Sequence, residues 1–462
     1  MLFNSLTFLV FLPIVWLTMR ALPVRWKNPF LLAASYFFYG CWDWRFLALL
    51  FGTTVIDFWV GKKLGEIDDP SRRKRILWLS LGANLGVLGF FKYFNFFVDS
   101  AAGALAALGF VPNTPLLEII LPVGISFYTF QSMSYTIDIY RRRTEPARRF
   151  EDFALYVAYF PQLVAGPISR ADDLMPQLVR PAPITFASIN TGLMLIFLGL
   201  FKKVLIADML APEVDRIFTH PDAMSAGVLL RGAYFFTFQI YCDFSGYSDM
   251  ARGVSRLFGA ELVINFNQPY LSQSITEFWR RWHISLSHWL RDYLYIPLGG
   301  NRFGPWKTYR NLMLTMLIGG LWHGANWTYV VWGGLHGLYL AAERMLGIGA
   351  DVGGGWLRRA AGGVVTFHLV ALAWIFFRAP NFSVAFEYIR GILAFDNLAA
   401  VGPIPFLVAA VVMALDIPQN LSNDHTVFVR ARWWMQAPVY AVLCFGILLY
   451  GGREIPFIYF QF

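Results

Sequence analysis

Charge is what this 462-residue sequence has least of: Asp, Glu, Lys and Arg make up 15% of it, against 57% hydrophobic residues. Soluble domains carry about 25% charged residues, so the composition excludes a soluble protein and indicates a membrane-embedded one. Cysteine is nearly absent. Cys41, Cys242 and Cys444 lie far apart in apolar or aromatic surroundings. Without a CxxC or a Cys/His cluster they exclude a disulfide framework and a cysteine metal site, and are expected to be buried thiols. The signatures of common soluble enzymes are also missing: no GxSxG elbow, Walker A loop, HExxH pair or GDS-type hydrolase box occurs. No polar stretch is long enough to build a separate soluble core. No internal repeat is visible, which weighs against a secondary transporter.

Apolar segments fill the space that charge leaves. A helix needs about 20 apolar residues to cross the roughly 30 Å hydrocarbon core. Candidate spans are 4–20, 29–43, 44–61, 76–97, 117–139, 184–201, 226–247, 310–328, 329–346, 360–378, 401–417 and 434–450. Some are short, so the expectation is an all-α polytopic membrane protein with about ten to twelve transmembrane helices. The first segment has no basic region before its apolar run, so it reads as a membrane helix and not a cleaved secretory signal.

The net charge of +9 gathers in short connectors: Arg20, Arg25 and Lys27, then Lys62 to Arg75, then Arg141 to Arg149. Segment 98–115 has no Lys or Arg. This alternation is the positive-inside pattern and not a nucleic-acid footprint. It places 20–28, 62–75 and 141–150 in the cytoplasm, and 98–115 and the N-terminus outside.

Two regions depart from a simple stack of crossing helices. EDFALYVAYFPQLVAGPISR (151–170) is apolar but broken by Pro161, Gly166 and Pro167. It reads as re-entrant, because broken backbone at membrane depth must be buried in protein or line a cavity. EFWRRWHISLSHWLRDYLYIPLGGNR (277–302) mixes six charges with Trp and Tyr, as an interfacial helix would. There His283 and Ser287 stand one helical turn apart on a shared face, while His288 points elsewhere and reads as solvated. Arg280 and Arg281 are either positive-inside anchors or ligands for the phosphates of a cytoplasmic donor.

Titratable groups inside apolar segments need a reason, since a polar group in hydrocarbon is costly unless it faces protein or a water-filled cavity. No Lys, Arg, Asp or Glu lies between Arg310 and Glu343, yet GGLWHGANWTYVVWGGLHG (319–337) holds His323 and His336. The residues leave two readings open: ties between helices, or acid–base groups suited to work near neutral pH. CDFSGYSDMARG (242–253) likewise puts Asp243 and Asp249 near membrane depth, where acids usually pair with Arg or a backbone donor. Small and hydroxylic residues in 121–143 suit close helix packing, and Asp138 balances the adjacent arginines.

Several of these stretches together resemble the membrane-bound O-acyltransferase family, in its bacterial alginate O-acetyltransferase branch. They are LPVGISFYTFQ (121–131), YFPQLVAGPISR (159–170), IYCDFSGYSDMARG (240–253), FWRRWHISLSHWLRDYLYIPLGGNR (278–302), GGLWHGANWTYVVWGGLHG (319–337), WIFFRAPNFSVA (374–385) and FIYFQF (457–462). The resemblance implies one membrane domain over 1–462, with N-terminal helices in 1–150, a catalytic core in 151–346 and C-terminal helices in 347–462. It implies a ring of helices around a central tunnel. It puts the family's near-invariant histidine on His323 and a second on His283, and leaves His336 structural.

The chemistry implied is acyl transfer. A helix starting near Lys307 and Arg310 at the cytoplasmic face carries His323 roughly 20 Å inward at about 1.5 Å per residue. A cytoplasmic thioester and an outer-face hydroxyl can meet at that depth. The resemblance implies acetyl-CoA as donor substrate, with no bound cofactor and no metal. His323 would act as general base and His283 would assist. Asn326, one turn from His323, is the candidate oxyanion donor. The acceptor would be a hydroxyl on a periplasmic acetyltransferase partner serving exopolysaccharide biosynthesis at the bacterial inner membrane, with lipid around the helices and no nucleic acid. The alternatives are a related transferase acting on peptidoglycan or teichoic acid (acetyl or D-alanyl), and a non-enzymatic transporter.

Overall fold

In lipid every backbone amide must find its partner within the chain, which favours helices throughout. A computed structural model describes residues 1–110, 117–349, 355–450, 455, 457 and 458. Among these residues all regular structure is helical, and each of the twelve expected spans overlaps a helix. The continuous stretch Pro70–Ala107 and the helices Trp356–Arg378 and Ile404–Ser422 are long and apolar enough to cross a membrane. Residues 111–115 of the expected outer loop and 459–462 of the tail motif lie outside the described residues.

The chain forms two compact units, one of residues 1–189 with 254–263 and the other of 190–253 with 264–462. In the first unit run α1 (Leu6–Ala21), α2 (Val24–Asp43), α3 (Arg45–Glu66), α4 (Pro70–Leu88), α5 (Phe94–Ala107), α6 (Ile125–Tyr140), α7 (Phe150–Ala158), α8 (Phe160–Leu163) and α9 (Ala171–Val179). Local chemistry sets their starts. Ser5 accepts from the Phe8 amide before α1, and Asp69 accepts from the Arg72 amide before α4, where Pro70 fits the first helical position. Leu6, Leu9, Val10, Ile14 and Leu17 of α1 stand more than half exposed, as a lipid-facing helix requires.

Polar glue joins α3, α4 and α6. Buried Asp57 accepts from Ser80 Oγ at 2.6 Å and from Asn84 Nδ2 at 2.9 Å, and Ser80 bonds Thr136 at 2.9 Å. Arg73, also buried, donates to the carbonyls of Leu64, Ile67, Ile139 and Tyr140, which closes the ends of α3 and α6.

Two expectations need correction here, and segment 151–170 keeps the break expected of it. Span 117–139 becomes helical only at Ile125, after Gly124, whose φ of +76° suits a residue without a Cβ. Segment 151–170 is two helices and a non-helical run from 164, with 153–169 buried throughout. Cys41 is exposed, because its face of α2 looks outward, while Cys242 is buried and Cys444 is intermediate.

The second unit holds most of α10 (Phe186–Leu200), then α11 (Asp208–Thr219), α12 (Ala226–Leu257), α13 (Ile275–Arg281), α14 (Ile284–Leu290), α15 (Pro305–His323), α16 (Trp327–Met345), α17 (Trp356–Arg378), α18 (Phe382–Ile392), α19 (Ile404–Ser422) and α20 (Trp433–Tyr450). Glycine fixes the pairing of α15 with α16. A Cβ at Gly320 would strike the Tyr329 carbonyl, and one at Gly333 the Met316 carbonyl. The two backbones therefore touch, as membrane helices do where small residues face each other.

Candidate active site

His323 is the last residue of α15, where GGLWHG reaches a glycine and the chain turns. Asn326 starts α16 three residues later: its Oδ1 accepts from the Thr328 amide at 3.0 Å, and its Nδ2 donates to the Pro380 carbonyl at 2.8 Å. The tight α15–α16 hairpin puts His323 beside Trp332, edge to face with ring centres 5.0 Å apart. Trp322 and Phe377 stand 5.1 and 5.4 Å away. The imidazole is 3% exposed.

His283 arrives from a different element. The expected continuous helix through 277–290 is broken: α13 ends at Arg281, Trp282 is extended, and His283 adopts φ 44° and ψ 53° before α14 begins. Left-handed backbone is uncommon for a non-glycine residue. The break swings the imidazole inward, fully buried, to 4.8 Å from Phe244 and 5.9 Å from Trp322. Its ring centre lies 6.2 Å from that of His323. The two histidines, 40 positions apart in sequence, thus share one cage of aromatic edges.

The same break separates His283 from Ser287. The Ser287 amide donates to the His283 carbonyl and its hydroxyl to the Trp282 carbonyl, so Ser287 is a local tie and does not share a helix face with the imidazole. His288 is exposed. Segment 277–302 turns its apolar side chains inward, with Phe278, Trp282 and Leu286 almost wholly buried. Arg280 is exposed. Arg281 is held by Glu277 at 2.8 Å, the Asn267 carbonyl at 3.2 Å and Asn420 Oδ1 at 2.8 Å.

His336 extends the aromatic cage but has a different neighbour. Its Nδ1 accepts from Trp279 Nε1 at 3.3 Å, its ring lies parallel to Phe278 at 6.0 Å, and it stands 5.0 Å from Trp332. Neutral imidazole that accepts at Nδ1 carries its proton on Nε2.

The intramembrane acids pair with the arginine and the backbone donor expected of them, and with two lysines besides. Lys202 Nζ pairs with Asp249 at 2.8 Å, with Arg252 at 3.5 Å from the same carboxylate. Lys203 Nζ bridges Asp208 and Asp243, each at 2.7 Å. Both lysines sit on the π-helical turn 201–207 after α10, which places two consecutive side chains in the interior. Asp243 Oδ2 also accepts from the Ile458 amide at 2.8 Å, and Lys203 donates to the Ile455 carbonyl at 3.3 Å. Among the described residues no three His, Cys, Asp or Glu side chains gather as a metal site.

Sequence reasoning missed the residues that hold α13 and the turn at His283. Glu343 of α16 accepts from the amides of Ile275 and Thr276 and from the Thr276 hydroxyl, each within 2.8 Å, so it caps α13 from another helix. The available signal was its position: Glu343 is the first charge after a 32-residue uncharged run.

Helices long and apolar enough to cross a membrane, with two buried imidazoles in one aromatic cage, are the features of a membrane protein with an interior histidine pair. The family model for the membrane-bound O-acyltransferase family matches residues 147–375. A probable alginate O-acetylase of Azotobacter vinelandii is 47% identical over 400 residues, covering 86% of this chain and 79% of the relative. A peptidoglycan O-acetyltransferase of Helicobacter pylori is 38% identical, covering 86% of this chain and 81% of the relative. A teichoic acid D-alanyltransferase of Streptococcus thermophilus is 30% identical, covering 51% of this chain and 58% of the relative. The chain belongs to the membrane-bound O-acyltransferase family, and it is an O-acyltransferase.

Proposed function

We propose that this protein transfers acetyl groups from acetyl-CoA, taken from the cytoplasm, to a hydroxyl at the periplasmic side of the bacterial inner membrane, for O-acetylation of alginate or a similar exopolysaccharide. The observation that carries the chemical part is the His283–His323 pair, with ring centres 6.2 Å apart inside an aromatic cage. The polymer is argued from the alginate relative, which is 47% identical.

In the proposed reaction the His323 imidazole takes the proton of the acceptor hydroxyl as its oxygen attacks the thioester carbonyl carbon. The tetrahedral intermediate collapses with cleavage of the C–S bond, and the departing thiolate receives the proton. His283, on the other side of the gap, positions the acyl group or assists the proton transfer. The aromatic walls keep bulk water from hydrolysing the thioester and strengthen any charge interaction inside. Arg280, at the exposed end of α13, attracts the donor's phosphates, while Arg281 orders the segment that carries His283. Asn326 remains the candidate oxyanion donor only through its second amide hydrogen, since the first is taken by Pro380. A ring of helices around a tunnel that connects the two faces, and a re-entrant 151–170, complete the proposal. The direct acceptor is a hydroxyl on a periplasmic partner transferase.

A second reading has an observation of its own. The Helicobacter pylori relative, a peptidoglycan O-acetyltransferase, is covered over 81% of its length, so peptidoglycan is the competing acceptor. Membranes containing the full chain, supplied with radiolabelled acetyl-CoA, should acetylate exopolysaccharide in the presence of periplasmic extract. Label appearing only in peptidoglycan would replace the first reading with the second, and no labelled polymer at all would defeat both.

A further inference from the structure

We propose that Asn265 is a positioning residue that sets His283 against His323; this rests on the reading of the two histidines as a catalytic pair. His283 holds left-handed backbone, φ 44° and ψ 53°. A side-chain-bearing residue persists there only where its surroundings over-determine the conformation. Were the turn all that mattered, glycine or asparagine would make it at lower cost. A histidine in that place means that the imidazole itself is what the turn delivers.

Asn265 supplies the restraint. Its carbonyl accepts from the Ile284 amide at 2.9 Å. Its Oδ1 accepts from the Ser285 amide at 3.2 Å and from the Ser285 hydroxyl at 2.9 Å. Two residues on, the Asn267 amide donates to the Arg281 carbonyl at 2.9 Å. The short stretch 265–267 therefore grips the chain on both sides of His283. Between the two asparagines, Phe266 places its ring 4.9 Å from Phe244 and 4.9 Å from Trp282, which closes the cage behind the imidazole. Asn265 is 1% exposed, so no water competes for these bonds. The backbone carbonyl bond to Ile284 survives any substitution; the two bonds to Ser285 belong to the side chain. Losing them leaves α14 free to start without the left-handed turn. A displacement of about 1 Å at a reacting group is enough to cost about 100-fold in rate.

The test measures transfer of radiolabelled acetyl from acetyl-CoA to exopolysaccharide by membranes containing the full chain, per amount of inserted protein, with thermal unfolding and the size profile in detergent as controls. Asn265→Ala should lower the limiting rate at least about tenfold while the donor KM changes less than about threefold. Asn265→Asp, which keeps the acceptor oxygen, should recover at least about a third of the wild-type rate. In a His283→Ala background, Asn265→Ala should cost less than about a further twofold, because a residue that acts through His283 has nothing left to position. Ser285→Ala removes one of the same bonds from the other end. It should lower the rate about threefold or more, and it decides the matter if Asn265→Ala does not insert. An Asn265→Ala protein with more than about half the wild-type rate, an equal loss in both backgrounds, or no recovery with Asp in an inserted protein would each overturn the proposal. His283→Ala at the wild-type rate would instead defeat the reading of the pair, whereas an inactive His283→Ala beside a normal Asn265→Ala would defeat only the positioning role.

Discussion

The histidine cage and the lysine–aspartate cluster both lie in the second unit, both are buried, and both place titratable groups among apolar helices. They are built by opposite rules. Around Lys202 and Lys203 the polar neighbours are counter-charges and a carbonyl: Asp249, Asp208 and Asp243 lie at 2.7–2.8 Å, and the Ile455 carbonyl at 3.3 Å. Around His323 the near neighbours are the rings of Trp322, Trp332 and Phe377. The first arrangement neutralises charges against one another and ties the turn 201–207 to α11, α12 and the backbone of Ile455 and Ile458. The second surrounds the imidazole with aromatic rings. The ion pairs answer charge with charge, whereas the proposed general base stands among aromatic walls.

The largest expected effect tests the cage. His323→Ala should leave an inserted, folded protein whose acetyl transfer falls by about 10²–10⁴-fold, the usual worth of general acid–base catalysis. His336→Ala provides the contrast inside the same cage, since its Nδ1 is tied to Trp279. That variant should lose thermal stability and keep most of its specific activity. A His323→Ala protein with more than about a tenth of wild-type turnover would break the comparison at its centre, because the ring would then be packing and not a base.

The ionic cluster should respond in the reverse sense. Lys203→Met leaves Asp208 and Asp243 buried and facing each other, and removing one partner of a buried pair typically costs about 3–5 kcal/mol. The measurement is thermal unfolding in detergent, with specific activity scored on the surviving folded fraction. The triple variant Lys203→Met, Asp208→Asn, Asp243→Asn should regain much of the loss, because no uncompensated charge remains. If Lys203→Met is fully stable yet inactive, the cluster is part of the chemistry and the distinction drawn above fails.

How far each region could be read from sequence obeys the same division. The helices were legible because apolar runs of the right length admit little else in lipid. His323 and His283 were singled out by the motifs that surround them, and both are buried. The turn that unites them was not: FWRRWHISLSHW has the spacing of one amphipathic helix, and its break depends on Asn265 and Glu343, which are distant in sequence. For the same reason Ser287 was misplaced onto the imidazole's face. Asp243 and Asp249 were rightly expected to need partners. Their lysines went unread because Lys202 and Lys203 follow an apolar run where they resemble a span's end, and only a π-helical turn sends both inward.

A third imidazole sharpens the comparison with the smallest effect. His425 lies in the loop after α19, where its Nε2 meets Asn267 Oδ1 at 3.2 Å. Burial, helped by the positive charges of Arg252 and Lys202, pushes it down from the ordinary 6.5 to about 4. A depressed value means that the unfolded chain takes up a proton before the folded one does. Above pH 6.5 the histidine's contribution to stability is complete, and it is lost progressively as the pH falls toward about 4. His425→Gln, which still offers an amide donor to Asn267, should therefore flatten the acid side of the stability profile between those values. At pH 7.5 it should move the unfolding temperature little, and transfer activity should stay within about twofold of wild type, the range expected where neither donor binding nor the reacting groups are touched. The decisive comparison is the unfolding temperature at pH 5 relative to pH 7.5 for the two proteins. An equal drop in both would mean that His425 is protonated in the folded protein, with the carboxylates of Asp249 and Asp424 offsetting its burial.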